Sequence, residues 1–365
     1  MHMNRRHFLT AAGIVPVISA LPNFASAQNR SFAPALGPWR TFEVTTKVEI
    51  INAGPDTRVW VPVPSVDSDW QQSQDPQWSG NASSVVMHAD RGSDARMVYA
   101  HWSQGEGPRQ LEVVSKIKTR DRITDWSSPS KASPVDLAAS LKPTSYIPID
   151  GIVRETAQAA IGGKTTDVDK ARALYDWVVT NTYREPTVRG CGVGDIKAML
   201  ETRNLGGKCA DLNALYVGLC RSVGLPARDL YGIRVAKSKF AYKELGAGSP
   251  DITKAQHCRA DVWLQAYGWV AVDPADVAKV MRQETPEWIK SAKHEVVAPV
   301  YDGLFGKWEG NWIAYNTGHD VALPGSKSAA LAFLMYPQAE AKGERIDSYD
   351  PENFKYSITA REIVS

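Results

Sequence analysis

Cysteine is scarce in this chain, with four in 365 residues. That is too few for a disulfide scaffold, so the fold must rest on an apolar core. Charge of one sign is lacking too. The 42 Lys and Arg stand against 40 Asp and Glu, which argues against the basic surface of a nucleic-acid binder. Beyond the first 30 residues no apolar run is long enough to cross a bilayer, so no permanent membrane span is expected. Several catalytic signatures are missing. There is no G-x-S-x-G, no H-E-x-x-H and no EF-hand loop, and the histidines are scattered. Gly162-Gly163-Lys164-Thr165 ends like a phosphate loop, but Gln158 stands where its first glycine belongs, so it reads as a turn before a helix. Neither a metal nor a cofactor is expected. What is present, 43% apolar and 22% charged residues, is the composition of a globular protein.

The first 27 residues read as an address. Asn4-Arg5-Arg6-His7-Phe8-Leu9 precedes an apolar run from Ala11 to Leu21, and Ala25-Ser26-Ala27 offers a cleavage site after Ala27. A basic start, a short apolar segment and small residues at the cut make a secretory signal, here of twin-arginine type. Export to a bacterial periplasm is the expectation. With Arg5 and Arg6 removed, 40 basic residues match the 40 acidic ones, so no charged polymer is expected as a partner.

Residues 40–125 carry a β signal. Phe42, Val44, Thr46, Val48 and Ile50 alternate with more polar neighbours, the period of a half-buried strand. Further short runs, separated by Gly, Pro, Asp and Asn, predict a small antiparallel sandwich-like domain. Residues 126–151 hold Pro129, Pro134, Pro143 and Pro148 and read as a linker. From 152 to 365 we expect the catalytic domain with a β extension at its end. Its first clear helix starts at Asp167, with Thr166 or Asp167 as cap and Val168, Ala171, Leu174, Tyr175 and Val178 on one face. The aromatic run Trp308, Trp312 and Tyr315 reads as core packing of a C-terminal strand rather than as a groove lining.

The chemistry centres on Gly206-Gly207-Lys208-Cys209-Ala210-Asp211. Leu212, Leu215, Tyr216, Leu219 and Val223 form a helical stripe that Gly224 and Pro226 stop, so a helix starts near Cys209. A cysteine there sits in the positive end of the helix dipole, which favours its thiolate and offers N–H groups to an oxyanion. Downstream, His257 to Leu264 and Trp269 to Asp273 alternate as two strands of a hairpin. Cys258, Ala260, Val262, Leu264, Val270 and Val272 share the apolar face, which leaves His257 and Asp273 together on the other, nearly opposite across the ladder. Asp273 would orient the imidazole while His257 faces the thiol. Nucleophile, base and orienting acid are thereby assigned to Cys209, His257 and Asp273.

These three blocks, with Arg221-Ser222-Val223-Gly224-Leu225-Pro226-Ala227-Arg228 closing the helix, resemble the core of the transglutaminase-like superfamily. The order Cys, His, Asp also matches. The resemblance implies an α+β, papain-like core, with the cysteine helix packed on an antiparallel sheet and an antiparallel β domain ahead of it. It also implies acyl transfer at amide or peptide bonds of a peptide, protein or envelope substrate, by a peptidase, amidase or transamidase. A non-catalytic module that binds peptides or envelope polymers on the same fold is the alternative. One family element is missing. Between Val178 and Lys208 there is no Trp or Gln to serve as the second oxyanion donor. Cys191 lies in that stretch and could approach the site, where an oxidising compartment would allow a regulatory disulfide with Cys209, though the sequence leaves the disulfide state open.

Overall fold

The computed structural model describes residues 30–51, 53–105, 107–129 and 136–364. The export signal expected at residues 1–27 lies outside them. Among the described residues no helix is long and apolar enough to cross a membrane.

The strand Arg40–Ile50 forms where the alternation predicts it, with Phe42, Val44, Val48 and Ile50 buried. It is central in a five-stranded antiparallel sheet. On one side it pairs with Arg109–Thr119, and on the other with Phe354–Ile363. A second five-stranded sheet is built on Thr57–Val63, flanked by Arg96–Trp102 and Gln338–Ala341. Val48, Ile50, Leu111 and Val113 of the first sheet pack against Val59, Val61, Val98 and Ala100 of the second. The result is a sandwich whose inner faces alternate apolar residues. It draws on both ends of the chain and not on residues 40–125 alone, because the β extension after Tyr336 returns to complete both sheets.

The core domain is a four-stranded antiparallel sheet in the order 268–272, 256–264, 227–234 and 312–316. The helix Cys209–Ser222 packs on it, and its residues are buried on every side. The predicted stripe therefore understated its burial. The helices Ile152–Ile161, Asp167–Asn181 and Ile196–Thr202 cover the side away from the sheet, and an all-round buried helix has no polar face to show. Thr166 caps the second of these helices, its hydroxyl accepting the Asp169 N–H at 3.1 Å. Trp308, Trp312 and Tyr315 are buried, as core packing requires. This is the α+β arrangement expected, a cysteine helix on an antiparallel sheet.

Candidate active site

Cys209 is the first residue of its helix. The backbone around it is held from two sides. The short parallel pairing of Tyr183–Arg184 with Gly206–Gly207 fixes the approach, and a Cβ on Gly207 would lie 2.6 Å from the Asp211 Cβ. Asp211 then gathers the loose N–H groups. Its carboxylate accepts from Lys208, Val193 and Gly194, each at 2.9 Å. Gly192 sits at φ 93 where an added Cβ would meet the same carboxylate at 1.8 Å, so only glycine fits. The loop 190–194 is thus pinned over the helix start.

That pinning decides which N–H groups stay free. Ala210 donates to the Cys191 carbonyl at 2.9 Å, and Asp211 and Leu212 both donate to the Lys208 carbonyl. Among the described residues the Cys209 N–H has no protein acceptor. One of the usual orphan donors of a helix start therefore remains available, on the cysteine itself.

His257 lies on the strand Gln256–Leu264, beside that helix. Its Nε2 is 2.7 Å from Asp273 Oδ2 and 3.3 Å from Asp276 Oδ2, which leaves Nδ1 for another partner. The ladder register sets Asp261 opposite Ala271 and Ala260 opposite Val272. Asp273 therefore falls just past the strand end, diagonal to His257 and not directly across. It is the N-cap of the helix Pro274–Lys279, its Oδ1 accepting the Asp276 N–H at 3.0 Å. One carboxylate thus caps a helix with one oxygen and holds the imidazole with the other. The His257 carbonyl accepts from Trp312 Nε1 at 2.9 Å, which fixes the strand from behind.

Burial and Arg234 oppose a charge on His257, but Asp276, Asp273 and the hydrogen bond to Asp273 outweigh them and raise it to about 9. Hydrogen bonds from Cys191 and Cys258, followed by the hydrogen bond and charge of His257, hold the Cys209 thiol well below its ordinary range against the effect of burial. Cys191 is pushed up, chiefly by its bond to Cys209, and Cys258 by burial. The arrangement favours a thiolate on Cys209 and an imidazolium on His257. All four cysteines are free thiols. Cys191 stands beside Cys209 as expected, without a disulfide.

Four residues of the site escaped sequence reading. Asp276 pairs with Arg234 at 2.5 Å, which keeps its carboxyl well below the usual range despite burial. Its signal was present, since Asp-Pro-x-Asp reads as a helix start with a cap and an acidic first turn. Asn213 bonds the Cys258 carbonyl at 2.8 Å and Asp273 Oδ1 at 3.3 Å. A polar residue four positions after Cys209 in an apolar helix shares its face and could have marked it. Arg234 and Tyr336 carried no local signal. Tyr336 is buried at 7% exposure, and its hydroxyl lies beside the Cys191 thiol. His257, Asp273 and Asp276 lie close enough to hold a cation, but the two carboxylates already serve the imidazole, the helix cap and Arg234.

Cys209, His257, Cys191 and Tyr336 all line one cleft of about 1390 Å³. It opens between the core and the sandwich, whose residues Lys47 to Glu49 and Gln110 to Glu112 form its far wall.

A cysteine at a helix start, with a histidine on the adjacent antiparallel strand and an acid at the next strand's end, defines a thiol-centred α+β class. The chain belongs to the transglutaminase-like superfamily, whose family model matches residues 154–274. It is 34% identical to an uncharacterised protein of Haemophilus influenzae over 324 residues, which are 84% of this chain and 86% of that one. Its fold is similar to a crystal structure from Cytophaga hutchinsonii, described provisionally as a cysteine protease. The TM-score is 0.57 at 13% identity, over 91% of this chain and 94% of that one. The periplasmic domain of TgpA from Pseudomonas aeruginosa is a weaker likeness, with a TM-score of 0.36 at 14% identity over 71% of this chain and 94% of that one. Family and fold together support a thiol-dependent enzyme.

Proposed function

We propose that this protein is an exported thiol enzyme that transfers acyl groups from amide or peptide bonds. The observation that carries the reading is that Cys209, with its unengaged N–H, and the carboxylate-held His257 line the same cleft. The Cys209 thiolate attacks the carbonyl carbon, forming an S–C bond, and the carbonyl electron pair moves to oxygen. The Cys209 N–H stabilises that oxyanion, as a preorganised donor does without reorganising. The Tyr336 hydroxyl, which lines the same cleft beside Cys191, is the second donor in place of the missing Trp or Gln. His257 gives its Nδ1 proton to the leaving amine, and the C–N bond breaks. Water or a second amine then loses a proton to His257 and attacks the thioester, which releases Cys209. Asp273 positions the imidazole and does not itself react. Nothing marks a dedicated amine site, which favours water as the acceptor. The arginine pair and the small residues before Gln28 support export, which would put envelope peptides within reach.

The test is turnover of an envelope-derived peptide mixture, with mass spectrometry for an acyl adduct on Cys209. Cys209→Ala is expected to lose activity by about 10⁴-fold or more. Tyr336→Phe should lower kcat by about tenfold or more with little change in KM, the signature of a lost oxyanion contact. Full turnover by Cys209→Ala on every substrate the wild type accepts would overturn the mechanism. Peptide binding without turnover in the wild type would favour the binding module.

A further inference from the structure

Seven Lys and Arg residues line the cleft, and three of them are paired by the protein. Arg234 pairs with Asp276 at 2.5 Å, Lys279 with Glu244 at 3.2 Å, and Lys47 with Glu112 at 2.9 Å. Of the other four, Lys254 and Lys355 are exposed, whereas Arg184 and Lys208 are half-buried, and among the described residues neither of these two has an ion-pair partner within 4 Å.

Their closeness is built into the backbone. Arg184 stands opposite Gly207 in the short parallel pairing, and the Glu185 N–H donates to the Gly207 carbonyl at 2.9 Å. Lys208 is the next residue, and Cys209 follows it. Only the Arg184 Nε is engaged, on Gln283 Oε1 at 3.0 Å, which leaves the two terminal nitrogens of the guanidinium fork. The nearby acids act on Lys208 through their charge but form no ion pair with it. Glu185 accepts from the Thr187 N–H at 3.0 Å and its hydroxyl at 2.7 Å. Asp211 accepts three backbone N–H groups. Burial first, and then the charge of Arg184, hold the Lys208 ammonium below its ordinary value. Two like charges kept together and partly dry, neither of them in an ion pair, are stabilised by an anion that arrives with the substrate.

We propose that Arg184 and Lys208 form a carboxylate-binding subsite beside Cys209, and that the acyl donor carries a free carboxylate close to the attacked carbonyl. The assignment rests on Cys209 as nucleophile and deepens that reading. A planar fork with two free nitrogens suits a carboxylate bidentately, and a lysine adds a point charge.

Two alkylating agents of nearly equal size test it without knowledge of the substrate. Iodoacetate is anionic and iodoacetamide neutral, and each forms an S–C bond to the Cys209 thiolate as iodide leaves. The measured quantity is the ratio of their rates at Cys209, located by peptide mass spectrometry and divided by the same ratio for free cysteine. Thiolate fraction cancels in that ratio, so an effect of the cations on the thiol alone does not move it. The wild type is expected to favour iodoacetate. The double variant Arg184→Gln, Lys208→Gln should lower the ratio by about tenfold at low salt, and about 0.5 M salt should narrow the gap. Arg184→Lys, which keeps the charge, should retain most of the preference. A ratio near that of free cysteine in the wild type, or one unchanged in the double variant, would overturn the subsite. In turnover, peptides with Glu or Asp should outrun their Gln and Asn counterparts, and the double variant should lose that bias. Turnover without charge preference sinks the subsite alone. A charge-dependent ratio without any turnover sinks the amide reading and leaves the anion site standing.

Discussion

At the scale of single residues the decisive pair is Cys209 and His257. Asp273 and Asp276 both raise the imidazole, to about 9, against burial and Arg234, while Cys191, Cys258 and His257 lower the thiol. The zwitterion is therefore the populated form between the two values. Iodoacetamide should label Cys209 at mildly acidic pH, where an ordinary thiol with a pKa of about 8.5 is protonated. The alkaline side carries the sharper prediction. His257 must be protonated to release the amine, so kcat/KM should fall as pH rises through about 9. Asp273→Asn keeps a residue able to cap the helix Pro274–Lys279 but removes one of the charges that raise His257. Its alkaline limb should move down, toward the free imidazole value of about 6.5. The pH profiles of both proteins decide it. An unmoved limb in the variant would mean that Asp273 does not set the charge of His257.

At the scale of elements, the start of the cysteine helix depends on Asp211 more than on any residue beside the thiol. Its carboxylate holds three N–H groups from two segments, and burial raises it above its ordinary value although those bonds oppose the rise. Asp211→Ala should cost about 2–4 kcal/mol, as three donors lose their acceptor. It should also free the loop 190–194, so amide exchange at Val193 and Gly194 should quicken far more than exchange in the helix centre. Equal protection in both proteins would show that the loop is held otherwise. The helix itself was legible in the sequence, because its stripe is periodic and Gly-Leu-Pro ends it. The hairpin was legible because the alternation on its two strands agrees. The register slipped by a diagonal because periodicity fixes the face of a residue and not its partner. Asp211 was visible as part of the motif, but not as the clasp of a loop 17 residues earlier. That role depends on Gly192 lying against it, a tertiary contact without a local pattern.

At the scale of the whole molecule, the pairing of the chain's two ends had no sequence signature. Arg40–Ile50 reads as a strand and the chain's end only as a β extension, yet Arg40–Ile50 and Phe354–Ile363 form one ladder over ten residue pairs, and alternation cannot name a partner some 300 residues away. The sandwich and the core are also joined by buried polar contacts. The Gln71 side chain donates to the Ala314 carbonyl at 2.9 Å and accepts its N–H at 2.7 Å, as a strand neighbour would. Asp261 of the core sheet holds Arg122, which follows the sandwich strand Arg109–Thr119, at 3.1 Å. Phe42, Val44 and Ile117 of the sandwich lie in the same apolar cluster as Leu212 and Leu215 of the cysteine helix. Exposing that cluster and those charges by separating the two parts would cost more than either could recover alone. The described chain should therefore unfold in a single transition, its calorimetric and van't Hoff enthalpies equal, although its length alone would permit two. Removing residues 354–363 should abolish that transition altogether and not merely melt the sandwich, because the strand Arg40–Ile50 would lose a flank while the cleft lost its lining from Phe354 to Ser357. Two resolved transitions in the intact protein, or a folded core with a reactive Cys209 in the truncated one, would show that the cleft is bounded by independent domains.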